Sequence, residues 1–335
     1  MNDASRIGLT IDLTRSGRHM GDAMLPWSDN SNPLGYHPIP VISIKGGEGP
    51  VLLLVGGTHG DEFEGPSAIM RVIQAVESTR LRGQIIAFPA LNMPAVSASS
   101  RVSPLDAFNL NRAFPGDRDG APTAMIAHFL ETEILPRCDA ALDLHSGGKA
   151  SFFEPCALPS HTENRALAAK NMELAEVYGL PLIWRLGTKN DNRSVNSAAE
   201  RAGVPMIATE LGGGGGVDPA ITDQAEAGIW NVLRHLGMID GDVARAQTPR
   251  VVEISDRAAS LFATSEGLFD RVRTAGQDVK AGEVAGWFHH ITEPERPSVK
   301  LTFPQDGLIL AHTNRGLVRR GEMLYLVVQD VDQAL

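Results

Sequence analysis

Short apolar segments alternate with amphipathic ones between about residue 40 and residue 240, and this alternation restricts the chain to few folds. The apolar segments are bounded by Gly, Pro or polar residues, as strands usually are, and they are VISIK (41–45), VLLLVGG (51–57), QIIAFPAL (84–91), AALDLH (140–145), PLIWR (181–185) and PMIATEL (205–211). In the segment EGPSAIMRVIQAVES apolar residues recur at helical spacing, and they are Ala68, Ile69, Val72, Ile73 and Val76. Residues 121–135, 162–178, 196–202 and 219–236 have a similar pattern. The alternation predicts an α/β domain whose mainly parallel sheet has helices on both faces.

The pattern changes after about residue 248, where strand-like runs follow one another closely and are separated by glycines. Two stretches are near-repeats, EGLFDRVRTAGQDVKAGEVAG (266–286) and DGLILAHTNRGLVRRGEMLY (306–325). Repeated hairpins of this kind predict a small all-β domain of the barrel-sandwich type. Because 335 residues suffice for two domains, we expect a catalytic α/β domain over residues 1–247 and a β-rich domain over residues 248–335.

The second half resembles the lipoyl or biotinyl carrier fold, whose two halves carry this glycine pattern. Such carriers place the modified lysine in a tight turn between the halves. Lys300 instead lies in a run that predicts a strand, without the flanking Met pattern of carriers. The sequence therefore favours a structural or oligomerisation module over a carrier, and an exposed sheet edge would favour a homo-oligomer.

Composition restricts the partners of the chain. The formal net charge is −10 and no dense run of Lys and Arg occurs, which argues against binding to nucleic acid. Two cysteines, Cys138 and Cys156, argue against a disulfide framework and favour a reducing compartment. The N-terminal segment lacks the apolar region of a secretory signal, and no apolar stretch approaches the roughly 20 residues that span a bilayer. We expect a cytoplasmic protein that acts on a small molecule, away from membranes.

The stretch GGTHGDEFEGP (56–66) places His59 and Glu62 just after an apolar strand. Imidazole nitrogen and carboxylate oxygen are ligands that zinc prefers, and catalytic zinc sites use three protein ligands. The best third ligand is His145, which ends the predicted strand AALDLH. The carboxyl ends of parallel strands meet at one edge of the sheet, where sites are built. The alternatives are a solvated loop for the first pair and an ordinary buried histidine for His145.

Two neighbours of these residues have candidate roles. Asp143 lies two residues before His145 and faces the same side of the strand, where it could orient a site group. Glu210 ends the predicted strand PMIATEL beside five consecutive glycines. A carboxylate beside a metal can take a proton from water and return it to a leaving amine. The bland alternative for Glu210 is an exposed strand end, and the glycines permit either close backbone approach or a mobile lid.

The long loop RVSPLDAFNLNRAFPG (101–116) contains Arg101 and Arg112 together with Asn109 and Asn111. Loops of this length inside compact domains are often functional. Arginine binds carboxylates through two parallel hydrogen bonds and also stabilises a developing oxyanion. The alternative is a solvated basic loop.

The segments GGTHGDEFEGP, NLNRAFPG, DLHSGG and TELGG occur in this order, and together they resemble the succinylglutamate desuccinylase and aspartoacylase family, a branch of the zinc carboxypeptidase superfamily. The resemblance covers roughly residues 45–240, and a β-rich C-terminal domain is also a family feature. Within the family the chain resembles the N-acetyl-diaminobutyrate deacetylases of ectoine breakdown, which share HGDEYEGP-like and NLNRxFPG-like segments.

The resemblance implies one zinc ion per chain and assigns residue roles by motif. The implied zinc ligands are His59, Glu62 and His145, and the implied general acid/base is Glu210. Asn111 and Arg112 match the pair that binds the substrate carboxylate. Arg101 matches the oxyanion-stabilising arginine, although its loop to Arg112 is longer than in aspartoacylases.

The residues and the resemblance together predict a zinc-dependent amidohydrolase, and the resemblance implies that it removes a small acyl group, acetyl or succinyl, from an N-acyl amino acid such as N-acetyl-diaminobutyrate. The same metal chemistry would serve a metallocarboxypeptidase acting on short peptides. A non-enzymatic binding or carrier protein with a silent catalytic fold is the third alternative. The acyl group and the amino acid are not specified by any motif.

Overall fold

The computed structural model describes residues 4–30, 32–186, 191–244, 248–254 and 259–331. The expected domain boundary between residues 247 and 248 adjoins residues 245–247, which lie outside the described residues. The α-helices are α1 (Glu64–Ala75), α2 (Met93–Ser97), α3 (Pro122–Phe129), α4 (Arg165–Tyr178), α5 (Val195–Ala202) and α6 (Pro219–His235).

The strands, in chain order, are β1 (Gly8–Leu9), β2 (Gly17–Leu25), β3 (His37–Lys45), β4 (Gly47–Gly56), β5 (Arg82–Phe88), β6 (Ala140–His145), β7 (Ser151–Pro159), β8 (Leu182–Trp184), β9 (Met206–Gly213), β10 (Arg250–Glu253), β11 (Leu261–Phe262), β12 (Gly267–Arg271), β13 (Asp278–Val279), β14 (Val284–His289), β15 (Val299–Thr302), β16 (Gly307–Thr313), β17 (Leu317–Val318) and β18 (Met323–Asp330). Each of the six predicted strands overlaps one of them. The predicted helix that included Val76 ends one residue earlier, at Ala75, because Val76 is extended.

Local sequence explains where the helices begin and end. The side chain of Asn164 accepts hydrogen bonds from the backbone N–H groups of Ala166 and Leu167 and so caps α4. Such a cap contributes about 1 kcal/mol of stability. The helix ends at Tyr178 and is capped by Gly179, whose φ of 87° is left-handed, a conformation that glycine adopts without strain.

The large sheet is mixed, whereas the sequence predicted a mainly parallel one. Its order is β1-β2-β3-β5-β4-β6-β9-β7-β8-β10-β18-β16-β13. The central strands β5, β4, β6 and β9 are parallel neighbours, but β7 pairs with β9 in the antiparallel direction. The loop between β6 and β7 is too short for the crossover that parallel strands require, so the chain reverses there. Strands β1 to β3 add antiparallel pairs on the other side.

Helices cover both faces of this sheet, as predicted. Side chains of α1, α4 and α6 form one apolar core with the sheet, and side chains of α3 and α5 form a second core on the opposite face. The predicted apolar stripe of α1 is buried in the first core at Ala68, Ile69, Val72 and Ile73. Within the described ranges, every helix is too short or too polar to span a bilayer.

The near-repeats form two similar units in the C-terminal sheet region. The first repeat gives β12, β13 and β14, and the second gives β16, β17 and β18. The short strand of each unit pairs with the first strand of the other, because β13 pairs with β16 and β17 pairs with β12. Phe269, Ile309 and Tyr325 are among the side chains of the shared core. Lys300 lies within β15, opposite Trp287, and not in a turn.

Candidate metal centre and active site

Three adjacent parallel strands bring the predicted ligands to one edge of the sheet. His59 and Glu62 follow β4, and His145 is the last residue of β6, the next strand in the sheet. Glu210 lies in β9, directly opposite His145. The carboxyl ends of parallel strands therefore meet here, where ligands bind in open α/β sheets.

His59, Glu62 and His145 converge, and each offers a donor atom within 4.8 Å of the others. The Nδ1 atom of His59 lies 2.8 Å from Oε1 of Glu62, and the Nδ1 atom of His145 lies 2.9 Å from Oε2. All three residues are at most 5% exposed. Two imidazole nitrogens facing one carboxylate are a donor set that suits zinc, so these residues fit a single metal ion.

Each imidazole is held at its other nitrogen by a different kind of partner. The Nε2–H of His145 donates to Oδ2 of Asp143 at 2.8 Å, and Thr58 donates to Oδ1 of the same carboxylate at 2.9 Å. The Nε2–H of His59 donates to the amide oxygen of Asn109 at 3.1 Å. Such outer partners fix the ring orientation of metal ligands. They leave both Nδ1 atoms facing Glu62.

The outer partners also explain the charges of the site. Burial alone would lower the pKa of His145, but the carboxylates of Asp143 and Glu62 raise it well above the usual value. Burial lowers the pKa of His59, and only Glu62 opposes this effect, because Asn109 is neutral. Burial would raise the pKa of Glu62, but the two imidazoles lower it below its ordinary value. Glu62 is therefore ionised, which suits a candidate metal ligand.

The glycines after β9 pack against the loop that follows His145. A Cβ atom on Gly213, whose φ is 147°, would lie 2.1 Å from the backbone oxygen of Ser151. The N–H of Gly147 donates to the oxygen of Gly212 at 3.0 Å. In the same loop, the N–H of Ser146 donates to Oε2 of Glu62 at 3.2 Å. Close backbone approach, the first of the two roles considered for these glycines, thus positions a loop that supports a ligand.

Glu210 is the candidate proton carrier of the site. Its Oε2 atom is enclosed and has no hydrogen-bond partner among the residues that the structure describes. Burial, reinforced by the nearby charge of Glu62, raises the pKa of Glu210 to about 8. A carboxyl group that titrates near neutrality is suited to taking up and releasing a proton.

A cavity of about 210 Å³ joins these groups to the long loop. The predicted site residues that line this cavity are His59, Arg101, Asn111, Arg112, His145 and Glu210. Glu62 is buried between the two imidazoles, and Asp143 lies behind His145. Nη1 of Arg101 donates to Oε1 of Glu62 at 3.2 Å. Nε of Arg112 lies 3.1 Å from Oδ2 of Asp191. The sequence-predicted residues are therefore brought to one place.

The loop is anchored so that Asn111 and Arg112 stay at the cavity. Leu110 is fully buried, and the side chain of Asn109 accepts from the N–H of Asn111 at 2.9 Å. Oδ1 of Asn111 accepts from the N–H of Val195 at 3.0 Å, which ties the loop to the start of α5. Asn109 had no predicted role. Asparagine is a common capping residue, and Asn109 directly precedes the short helical turn Leu110–Arg112, which it caps.

Other lining residues were not predicted from the sequence. An apolar wall consists of Leu158, Trp184, Leu186 and Ala208, and a polar side is formed by Asp191, Ser194 and Asn196. Leu158 lies on β7, a strand that the sequence analysis did not predict, and the polar residues lie at the start of α5. No local motif marks them, because they reach the cavity only through the tertiary fold.

Fold and site together define the class: an α/β protein with a candidate site for one metal ion beside a carboxylate and two arginines. Residues 48–236 match the succinylglutamate desuccinylase/aspartoacylase catalytic domain. The chain belongs to the succinylglutamate desuccinylase/aspartoacylase family.

Individual relatives cover nearly the whole chain. The N-alpha-acetyl-L-2,4-diaminobutyric acid deacetylase of Halomonas elongata is 32% identical over 98% of this chain and 96% of its own length. The product-bound structure of the ectoine utilization protein EutE (DoeB) from Ruegeria pomeroyi is 33% identical, with a TM-score of 0.93 over 97% of this chain and 99% of that chain. The succinylglutamate desuccinylase/aspartoacylase structure from Rhodobacter sphaeroides is 35% identical, with a TM-score of 0.92 over 98% of this chain and 100% of that chain.

Proposed function

We propose that this chain is a zinc-dependent deacylase that hydrolyses the amide bond of N-acyl amino acids, and that its substrate is Nα-acetyl-L-2,4-diaminobutyrate. The observation that carries the proposal is the convergence of His59, Glu62 and His145 with Glu210 in one small cavity. The similarity to the Halomonas elongata deacetylase over nearly its full length supports the choice of substrate.

One zinc ion per chain would be held by His59, Glu62 and His145. Zinc at such a site supplies a Lewis acid for a carbonyl oxygen and lowers the pKa of water to about 7. The hydrogen bonds of His59 to Asn109 and of His145 to Asp143 keep the two Nδ1 atoms directed at Glu62, where they could serve as ligands.

Glu210 and Arg101 carry the hydrolysis in this proposal. Glu210 takes a proton from the attacking water as oxygen adds to the acyl carbon, and it returns that proton to the nitrogen as the C–N bond breaks. The guanidinium of Arg101 reaches the ligand Glu62 at 3.2 Å and is therefore close enough to the reacting carbonyl to stabilise its developing oxyanion. The products are a carboxylate and a free amino acid.

Asn111 and Arg112 bind the substrate carboxylate. Because the N–H of Val195 already donates to Oδ1 of Asn111, a carboxylate would be bound by the amide nitrogen of this residue, which also lies 3.5 Å from Nε2 of His145. Arg112 is half-exposed and is oriented by Asp191, which leaves other guanidinium N–H groups for a carboxylate. The pair would hold the amino-acid part while the acyl group lies at the metal.

The volume of the cavity supports a small substrate over a peptide. Pockets for drug-sized ligands measure about 300–1,000 Å³, and this one measures about 210 Å³. A carboxypeptidase acting on peptides would need room for further residues beyond the scissile bond.

We also propose the domain organisation that the sequence predicts, with a catalytic α/β domain over residues 1–247 and a barrel-sandwich-like domain over residues 248–335. The exchange of short strands between the two repeat units supports the second part. The position of Lys300 inside β15 argues against a carrier function.

Both cysteines are free and buried, which supports a reducing compartment such as the cytoplasm.

The proposal is tested by metal analysis and a turnover screen. Purified protein should contain about one zinc ion per chain. The zinc-loaded protein should hydrolyse Nα-acetyl-L-2,4-diaminobutyrate faster than other acetyl and succinyl amino acids, and faster than hippuryl peptides. Turnover of hippuryl peptides alone would instead identify a carboxypeptidase, and turnover without any metal would refute the zinc mechanism.

A further inference from the structure

Asn196 differs from the other polar residues at the start of α5. It is 5% exposed and lines the candidate active-site cavity. The hydroxyl groups of Ser194 and Ser197 beside it bond each other and the backbone oxygen of Asp191. Among the residues that the structure describes, the carboxamide of Asn196 has no protein hydrogen-bond partner, and its polar atoms are open to the cavity. It is a buried amide that faces a cavity.

The polar atoms of this carboxamide are not among the enclosed atoms that lack a partner, so they are open to the cavity, where water can bond them. A polar group of a ligand that enters the cavity can take the place of that water and bond the carboxamide directly. An asparagine side chain can accept at Oδ1 and donate at Nδ2.

The position of Asn196 indicates which part of the substrate it meets. Val195, its chain neighbour, donates to Asn111, which belongs to the proposed carboxylate-binding pair. Asn196 thus lies on the side of the amino-acid part and not with the acyl group. Once the carboxylate is bound, the remaining substituent on that part is the side chain of the amino acid.

The charges on this side of the cavity allow a cationic side chain. Asp191 accepts from Nε and Nη2 of Arg193 and lies against Arg112. These three residues carry one net positive charge, which the substrate carboxylate cancels. Since the acceptor positions of Asp191 are engaged by the arginines, the side-chain oxygen of Asn196 is an acceptor that remains available at the start of α5.

We infer that Asn196 is a specificity-determining residue, which accepts a hydrogen bond from the ammonium group at the end of the substrate side chain. This inference rests on the proposed function, since it concerns the amino-acid part of the same substrate. Asn196 selects diaminobutyrate over an amino acid of equal size whose side chain ends in a methyl group.

The test compares two substrates that differ only at this position, Nα-acetyl-L-2,4-diaminobutyrate and Nα-acetyl-L-norvaline. In Asn196→Leu the ratio of their kcat/KM values should fall about 10- to 100-fold, because a hydrogen bond to a charged group contributes roughly this much. An equal loss for both substrates would show a merely structural role and overturn the inference. In Asn192→Leu, a matched change at an exposed residue of the same segment outside this cavity, the ratio should stay constant.

A second variant and a second measurement separate this inference from the proposed function. Asn196→Asp should raise the preference for the diaminobutyrate substrate over Nα-acetyl-L-glutamate by at least about tenfold, because opposite charges attract and like charges repel. Calorimetry should show that Asn196→Leu weakens binding of the product L-2,4-diaminobutyrate more than binding of norvaline. Unchanged ratios in an active protein contradict the role of Asn196 alone, whereas absence of turnover in the wild type contradicts the proposed function.

Discussion

The side of the cavity at the candidate metal ligands His59 and His145, the metal side, is built differently from the substrate side at Arg101, Arg112 and Asn196. His59 and His145 are almost completely buried, and each ring is bonded at both nitrogens. On the substrate side the side chains of Arg101 and Arg112 are 52% and 41% exposed, and Asn196 has an unbonded amide. The side chains of the metal side are already held by hydrogen bonds within the protein, whereas those of the substrate side have groups that only a bound substrate would engage. Changes on the two sides should therefore have different kinetic signatures.

The largest effect is expected for Glu210→Gln, which removes the proposed proton carrier but none of the proposed metal ligands. The value of kcat should fall about 10²- to 10⁴-fold, the usual contribution of a positioned acid/base. Zinc content, measured by plasma emission spectrometry, should remain at the wild-type level. Turnover within a few-fold of the wild type would remove Glu210 from this role.

The next largest effect is expected for Arg101→Ala. The loss of an oxyanion-stabilising donor typically costs about 10²- to 10³-fold in kcat, and KM should change much less. Because Arg101 also bonds Glu62, zinc content must be measured in the same preparation. A rise in KM at constant kcat would place Arg101 with the carboxylate-binding groups instead.

Arg112→Ala should show the opposite signature and so sharpen the difference between the two arginines. Loss of a charge-assisted hydrogen bond to the substrate carboxylate should raise KM about 10- to 100-fold, with a smaller change in kcat. Steady-state kinetics on one substrate decides between the two patterns. A variant that loses only kcat would contradict carboxylate binding by Arg112.

The two sides also differ in how far the sequence predicts them. His59, Glu62 and His145 follow or end apolar strands, and Glu210 lies near the carboxyl end of another. The direction of parallel strands brings such positions together. The strand β7 escaped prediction because Glu154 and Pro155 interrupt it at a bulge opposite β9, and Pro is rare inside strands. The sheet is mixed and not mainly parallel, because β7 runs antiparallel to β9 and β3 runs antiparallel to both β2 and β5.

The substrate side depends on contacts between distant segments, which no periodicity reveals. Asn196 reaches the cavity because Val195 bonds to Asn111, 84 positions earlier in the chain. Trp184 and Leu158 form part of the apolar wall only once β7 and β8 pair. Sequence patterns specify which elements form, and the walls of the cavity follow from how those elements pack.

A smaller effect is expected on metal affinity when an outer partner is changed. Asp143→Asn keeps the size of the side chain but removes the charge that faces His145, and loss of such a partner typically weakens metal binding about 10- to 100-fold. Competition with a zinc chelator measures the change. Asn109→Ala, which removes a neutral partner from His59, should weaken binding less. An equal loss in both variants would show that the charge of Asp143 is unimportant.

The smallest expected effect concerns the stability of the metal-free protein. The pKa of Glu210 is raised from 4.5 to about 8 in the folded protein, so the folded state binds this proton more tightly than the unfolded state. The stabilising contribution is complete below pH 4.5 and is lost as the pH rises through about 8. Between these values the free energy of unfolding should fall by at most about 1.4 kcal/mol per pH unit through this group.

The variant Glu210→Gln has no carboxyl group to titrate at this position. Its free energy of unfolding, measured by urea denaturation after chelation, should therefore depend less on pH than that of the wild type. Identical pH profiles for the two proteins would mean that folding does not raise the pKa of Glu210, and that this carboxylate stays ionised near neutral pH in the folded, metal-free protein, as Glu62 does.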